Sequence, residues 1–121
     1  MGRRLRFVPE RGTLVEVTCR TVQGRFLLRP SPLLNEIILG ILARAQRLYP
    51  VGICAFSWTS NHYHLLLRVD DAQRLAKFVG YVNSNVAREA GRLHGWKDIW
   101  ARRYQDIIVS HEEAAQVERL K

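Results

Sequence analysis

The chain has 121 residues, a length for one compact domain, and 47% of them are hydrophobic, which excludes an extended disordered polymer. Its formal net charge is +8 and its pI is about 10.3, so a polyanion or an anionic surface is the expected partner. No run reaches the roughly 18 apolar residues that span a bilayer, so no membrane partner is expected.

Arginine carries most of the charge, since only Lys77, Lys97 and Lys121 are lysines. A guanidinium offers phosphate two parallel hydrogen bonds, which suits a nucleic acid. The opening stretch, MGRRLRFVPERGT, has no apolar segment of a secretory signal. Its Arg3, Arg4 and Arg6 read either as an arm on phosphate or as a charged tail. Cys19 and Cys54 lack metal-site or redox spacing and read as buried strand residues in a reducing cytoplasm.

Residues 14–22, LVEVTCRTV, alternate as a half-buried strand, with Val15, Val17 and Cys19 on one side and Glu16, Thr18 and Arg20 on the other. A helix follows from the N-cap Ser31, with Pro32 at its first position and Pro50 barring continuation. Its apolar stripe is Leu34, Ile37, Ile38, Ile41, Ala45 and Leu48. Residues 52–58 and 62–69 read as a hairpin joined by Thr59–Ser60–Asn61. Asp70 or Asp71 caps a long helix to about Leu93, with the stripe Leu75, Phe78, Val79, Val82, Val86 and Ala90. Gly91 and Gly95 punctuate its end, 103–110 reads as a fourth strand, and Ser110 with Glu113 forms a capping box for a last helix from His111. The order β-α-β-β-α-β predicts an α+β, ferredoxin-like fold: a four-stranded antiparallel sheet with both helices on one face and one face left free.

Alternation along 62–69 assigns Tyr63, Leu65, Leu67 and Val69 to the core. His62, His64, Leu66 and Arg68 then share the free face, with the imidazoles about 7 Å apart along the strand. Two imidazoles so placed are either solvated polar side chains or half of a metal site, because two ligands do not complete one.

The run Asn61–His62–Tyr63–His64–Leu65–Leu66–Leu67 resembles the His-hydrophobic-His motif of the HUH endonuclease superfamily. Specifically, it resembles the single-tyrosine transposases of small single-strand insertion sequences and their relatives linked to repetitive extragenic palindromes. Thr59 and Ser60 stand where those relatives have Met-Pro. The segment IWARRYQDIIVS resembles the family's Trp-x-x-Arg-aromatic approach to the last strand, so the likeness spans nearly the whole chain. It implies a single HUH transposase-like domain over 1–121 that binds single-stranded or hairpin DNA and pairs as a homodimer. It also implies that His62 and His64, with a third polar side chain, hold Mg²⁺ or Mn²⁺. A tyrosine would attack the scissile phosphate to give a 5′-phosphotyrosine intermediate. Such a hydroxyl, with a pKa of about 10, needs Lewis-acid help near neutral pH.

In that family the tyrosine lies on the helix after the last strand, one turn before the third ligand. No tyrosine follows Tyr104 here, and the final helix reads as cut at Lys121, so the nucleophile is expected beyond it. Tyr104 is the best internal substitute, and Gln105, Asp106, His111 and Glu112 are the substitute ligands. Candidate nucleic-acid contacts are Arg3, Arg4, Asn61, Arg68, Arg88, Arg92, Arg102 and Arg103, the last four flanking Trp96 and Trp100. The competing reading is a binding module without catalysis, a domesticated or decayed relic. An RNA-recognition fold would want exposed aromatics on its central strands, where histidines stand instead. A small metal-binding regulator rests on the histidines alone.

Overall fold

The computed structural model describes residues 12–109. Arg3, Arg4, Arg6 and the final helix with Ser110, His111 and Glu112 lie outside the described residues. Between these limits the chain forms β1 (Thr13–Arg20), α1 (Pro32–Leu48), β2 (Gly52–Trp58), β3 (His62–Val69), α2 (Ala72–His94) and β4 (Gln105–Ile108), with a short 3-10 turn at Val22–Gly24. The sheet runs β2-β3-β1-β4 and every pairing is antiparallel. This is the expected ferredoxin-like α+β arrangement.

Local chemistry sets the element ends. The Ser31 hydroxyl accepts from the Leu34 amide at 3.0 Å, and Pro32 follows at the first helical position. Asp71, the second of the two expected caps, accepts from the Arg74 amide at 2.7 Å. Gly95 ends α2 in the left-handed region at φ 62°, which glycine adopts without a Cβ clash.

The core lies between the helices and one sheet face. Val15, Val17, Cys19, Tyr63, Leu65, Leu67 and Val69 meet Leu34, Ile38, Ile41, Ala45, Leu75, Phe78, Val79, Val82, Val86 and Ala90 there. The expected stripe of α2 is buried throughout. On α1, Leu42 is buried, while the expected Leu48, the last residue of the helix, is 56% exposed. Cys19 is buried as expected, but Cys54 is only half-buried, since it sits at the irregular pairing between Ile53 and Ala55 on the edge strand.

Candidate functional site

Strand register places the imidazoles. His64 lies opposite Thr18 on β1 and Ser57 on β2, and His62 lies opposite Arg20. Thr18 in turn pairs with Gln105 on β4. Ser57, His64, Thr18 and Gln105 thus form one row across the sheet face away from the helices, because directly paired strand residues share a face. Both histidines are half-buried, while Tyr63 between them is fully buried on the other side. The ring centroids are 5.0 Å apart, with planes at 86°.

Each ring is held through Nδ1. His62 Nδ1 lies 2.8 Å from Thr59 Oγ1 and 2.9 Å from Asn61 Oδ1. The Thr59 hydroxyl donates to the His62 carbonyl at 3.1 Å, so toward the ring it accepts. Asn61 presents its carbonyl oxygen to the ring and its amide nitrogen to the Gly24 carbonyl at 3.4 Å. Two acceptors therefore face Nδ1, which fixes the Nδ1–H tautomer and leaves a lone pair on Nε2. Burial, then the neighbouring His64 and Arg20, hold the His62 pKa below the ordinary imidazole value, which keeps that lone pair at neutral pH. His64 Nδ1 is held by Thr18 Oγ1 at 3.2 Å. Imidazoles oriented by oxygen partners on one nitrogen are suited to bind a cation with the other. The pair fits two positions of a divalent ion; among the described residues, no cluster of three or more His, Cys, Asp or Glu could hold one.

The turn that carries Asn61 is itself pinned. The Thr59 amide donates to the His62 carbonyl at 2.9 Å, the Leu28 amide to Ser60 at 2.8 Å, and the Thr21 amide to Asn61 at 2.9 Å. Beneath the site, the Tyr63 hydroxyl donates to Asn83 Oδ1 at 2.5 Å, and Asn83 accepts the Trp100 indole N–H through its backbone carbonyl at 2.9 Å. Trp100 is thus a structural anchor, edge-on to Tyr63. Trp96 is 37% exposed under the Arg25 guanidinium, 4.2 Å from the ring centroid.

The other sequence candidates divide. Arg102 and Arg103 are exposed and line a cleft at the edge of β1 that both Thr18 of the imidazole face and Cys19 of the core face border, and the Arg103 guanidinium lies 5.5 Å from the Tyr104 ring centroid. Arg88 and Arg92 lie on α2, in the layer that covers the other face, and Arg92 is 3.6 Å from Glu89. Arg68 is on the imidazole face but donates to the Gly12 carbonyl at 2.9 Å. Asn61 is aimed at His62, which makes it a positioning residue. Tyr104 is only 7% exposed and packs in the core, on the side away from the imidazoles, so its expected role as substitute nucleophile is withdrawn. Asp106, opposite Val17 and 5% exposed, likewise faces the helices and is withdrawn as a substitute ligand; Gln105 is on the imidazole face. Sequence reasoning missed Thr18 and Thr59 as ring partners and Arg20 as the cation opposite His62. The outward alternation of β1 already marked Thr18 and Arg20, but only the strand register brings them to the histidines.

The described helices both lie on one side of the sheet and leave the paired, oriented imidazoles on the other, the arrangement that the resemblance to single-tyrosine transposases implies. A family model described as "Transposase IS200 like" matches residues 22–119, and the chain belongs to that family. Two solved structures share the fold. One is a REP-associated tyrosine transposase bound to a REP hairpin, with TM-score 0.64, 14% identity, and 98% of this chain and 67% of that chain covered. The other is a candidate transposase from Deinococcus radiodurans R1, with TM-score 0.65, 17% identity, and 99% and 95% covered. At these identities the likeness is one of fold. No curated protein matches the chain.

Proposed function

We propose that residues 1–121 form a single HUH transposase-like domain whose imidazole face binds single-stranded or hairpin DNA. The carrying observation is the His62–His64 pair with both Nδ1 atoms engaged and no described residue bonded to either Nε2. These two side chains would hold Mg²⁺ or Mn²⁺, which when bound supplies Lewis-acid polarisation of the scissile phosphate. Thr59, Asn61 and Thr18 keep the rings oriented, and Arg102 and Arg103 offer charge to the DNA backbone. In its complete form the reaction is cleavage and rejoining of the strand through attack by a tyrosine, giving a 5′-phosphotyrosine. The covalent bond conserves the energy of the phosphodiester, so rejoining needs no nucleotide cofactor.

None of the chain's four tyrosines suits that role. Tyr63 and Tyr104 are buried, and Tyr49 and Tyr81 pack edge-to-face with centroids 6.3 Å apart, Tyr49 capping the end of α1 and Tyr81 lying within α2. This favours, for the 121 residues themselves, the second reading of a domain that binds without cutting. Among the described residues no helix is long and apolar enough to cross a membrane. Two unpaired cysteines accord with the cytoplasm as the proposed site of action.

The test is a labelled hairpin oligonucleotide incubated with the protein and Mn²⁺. Retention in a native gel at low salt, lost steeply as salt rises, supports the binding reading, because phosphate contacts release counterions. A denaturing gel of the same mixture should contain no covalent adduct. A protease-sensitive adduct would overturn the claim that these residues lack a nucleophile.

A further inference from the structure

β4 begins only at Gln105, yet β1 runs on to Arg20, and the two stay tied by the Ala101 amide donating to the Arg20 carbonyl at 2.9 Å. The backbone between these ties bows away and leaves a cleft of about 290 Å³, lined by Thr18, Cys19, Arg20, Arg102, Arg103 and Gln105 among others. Its inner wall is shared with the imidazole site, since Thr18 is the residue that holds His64. Arg20 lies opposite His62, and Gln105 opposite Thr18. Two strand spacings of about 4.8 Å put the Gln105 side of the cleft some 10 Å from His64. Arg20, Arg102 and Arg103 all line this one opening, with the Gln105 amide beside them and the Arg103 guanidinium 5.5 Å from the Tyr104 ring centroid, and no acidic residue is among its described lining. The Cys19 thiol at its floor points to the Arg102 carbonyl at 3.8 Å, with its pKa pushed up by burial to about 11, so the floor is neutral.

We infer that this cleft seats a phosphodiester of the single strand, next to the one offered to His62 and His64, with Arg20 and Arg102 as its charged donors and Gln105 completing the hydrogen bonds. This rests on the DNA-binding reading above and adds the direction of the strand: it leaves the imidazoles across β1 toward the start of β4. The rim of the cleft is fixed by backbone bonds, so truncating the arginine side chains leaves the cleft in place.

The test compares the unmodified protein, an Arg20→Ala/Arg102→Ala variant and a charge-matched Arg44→Ala/Arg47→Ala variant, whose changes are on α1 in the helix layer. Each is titrated with a single-stranded oligonucleotide over a salt series, and thermal unfolding is followed in parallel. The cleft variant should unfold like the unmodified protein but bind about 10-fold to 100-fold more weakly at low salt, the effect of losing hydrogen bonds between charged partners. Its log–log salt slope should shrink by about 0.7 for one lost single-strand phosphate contact. The charge-matched variant should keep the original slope. Equal affinity and slope in the cleft variant would overturn the inference while leaving the DNA reading intact. Absence of oligonucleotide binding by the unmodified protein would overturn that reading, and the inference with it.

Discussion

At the scale of single residues, the site depends on which nitrogen of each imidazole carries the proton. Two oxygen acceptors face His62 Nδ1, and burial disfavours its charged form. A histidine whose folded pKa lies below its unfolded value binds protons less readily when folded. Its contribution to stability is complete above the unfolded value of about 6.5 and declines as pH falls below it. An NMR titration of the imidazole protons should therefore give His62 a midpoint below 6.5, with the Nδ1–H tautomer above it; a midpoint above 6.5 would contradict the packing around the ring. The ring partners can be tested with metal alone. Mn²⁺ should bind loosely, since most coordination positions fall to water, and His62→Ala or His64→Ala should each abolish it. Thr59→Ala combined with Asn61→Ala should weaken binding about 10-fold or more in calorimetry with the fold intact, the usual cost of losing oxygens behind a ligating histidine. Unchanged affinity would mean that the ion sits elsewhere.

At the scale of elements, the turn after α2 decides where the arginines stand. Gly91 donates no side chain because the chain folds back on it: a Cβ there would lie 2.5 Å from the Trp96 carbonyl oxygen. The Trp96 amide also donates to the Gly91 carbonyl at 2.9 Å, closing the turn. Gly91→Ala should cost about 1–3 kcal/mol by overpacking and loosen the segment from Trp96 to Arg103. Chemical denaturation checks the first, and faster amide exchange at Trp96 and Ala101 the second; wild-type values for both would refute the close approach. The elements were largely readable in the sequence because their signals are local. Ser31, Pro32, Asp71 and Gly95 mark helix ends whatever the rest of the chain does, and the alternation of β3 assigned His62 and His64 to the free face. What could not be read depends on contacts distant in sequence. The face of Asp106 follows from its pairing with Val17, and the burial of Tyr104 from the sides of that pairing. The convergence of Arg20 with Arg102 follows from where β4 stops pairing with β1. Leu48 fits the helical period, yet at the last position of α1 it is exposed.

At the scale of the molecule, the helix layer carries the core and the opposite sheet face carries the candidate site, so on the proposed reading stability and function are divided between two sides of one sheet. The edge strand β4 exposes Ile107 at 58% and Ile108 at 42%, apolar surface that a second copy could cover. We expect a homodimer, and sedimentation at high protein concentration should detect it; a monomer throughout would refute the pairing. On the proposed reading, DNA meets the imidazole face and not the helix layer. The most direct measurement is an amide chemical-shift titration of the protein with a hairpin oligonucleotide at low salt. Shifts are expected at His62, His64, Thr18, Arg102 and Gln105, with the outward positions of α1 unmoved. Shifts concentrated on α1, or none at any residue, would contradict it.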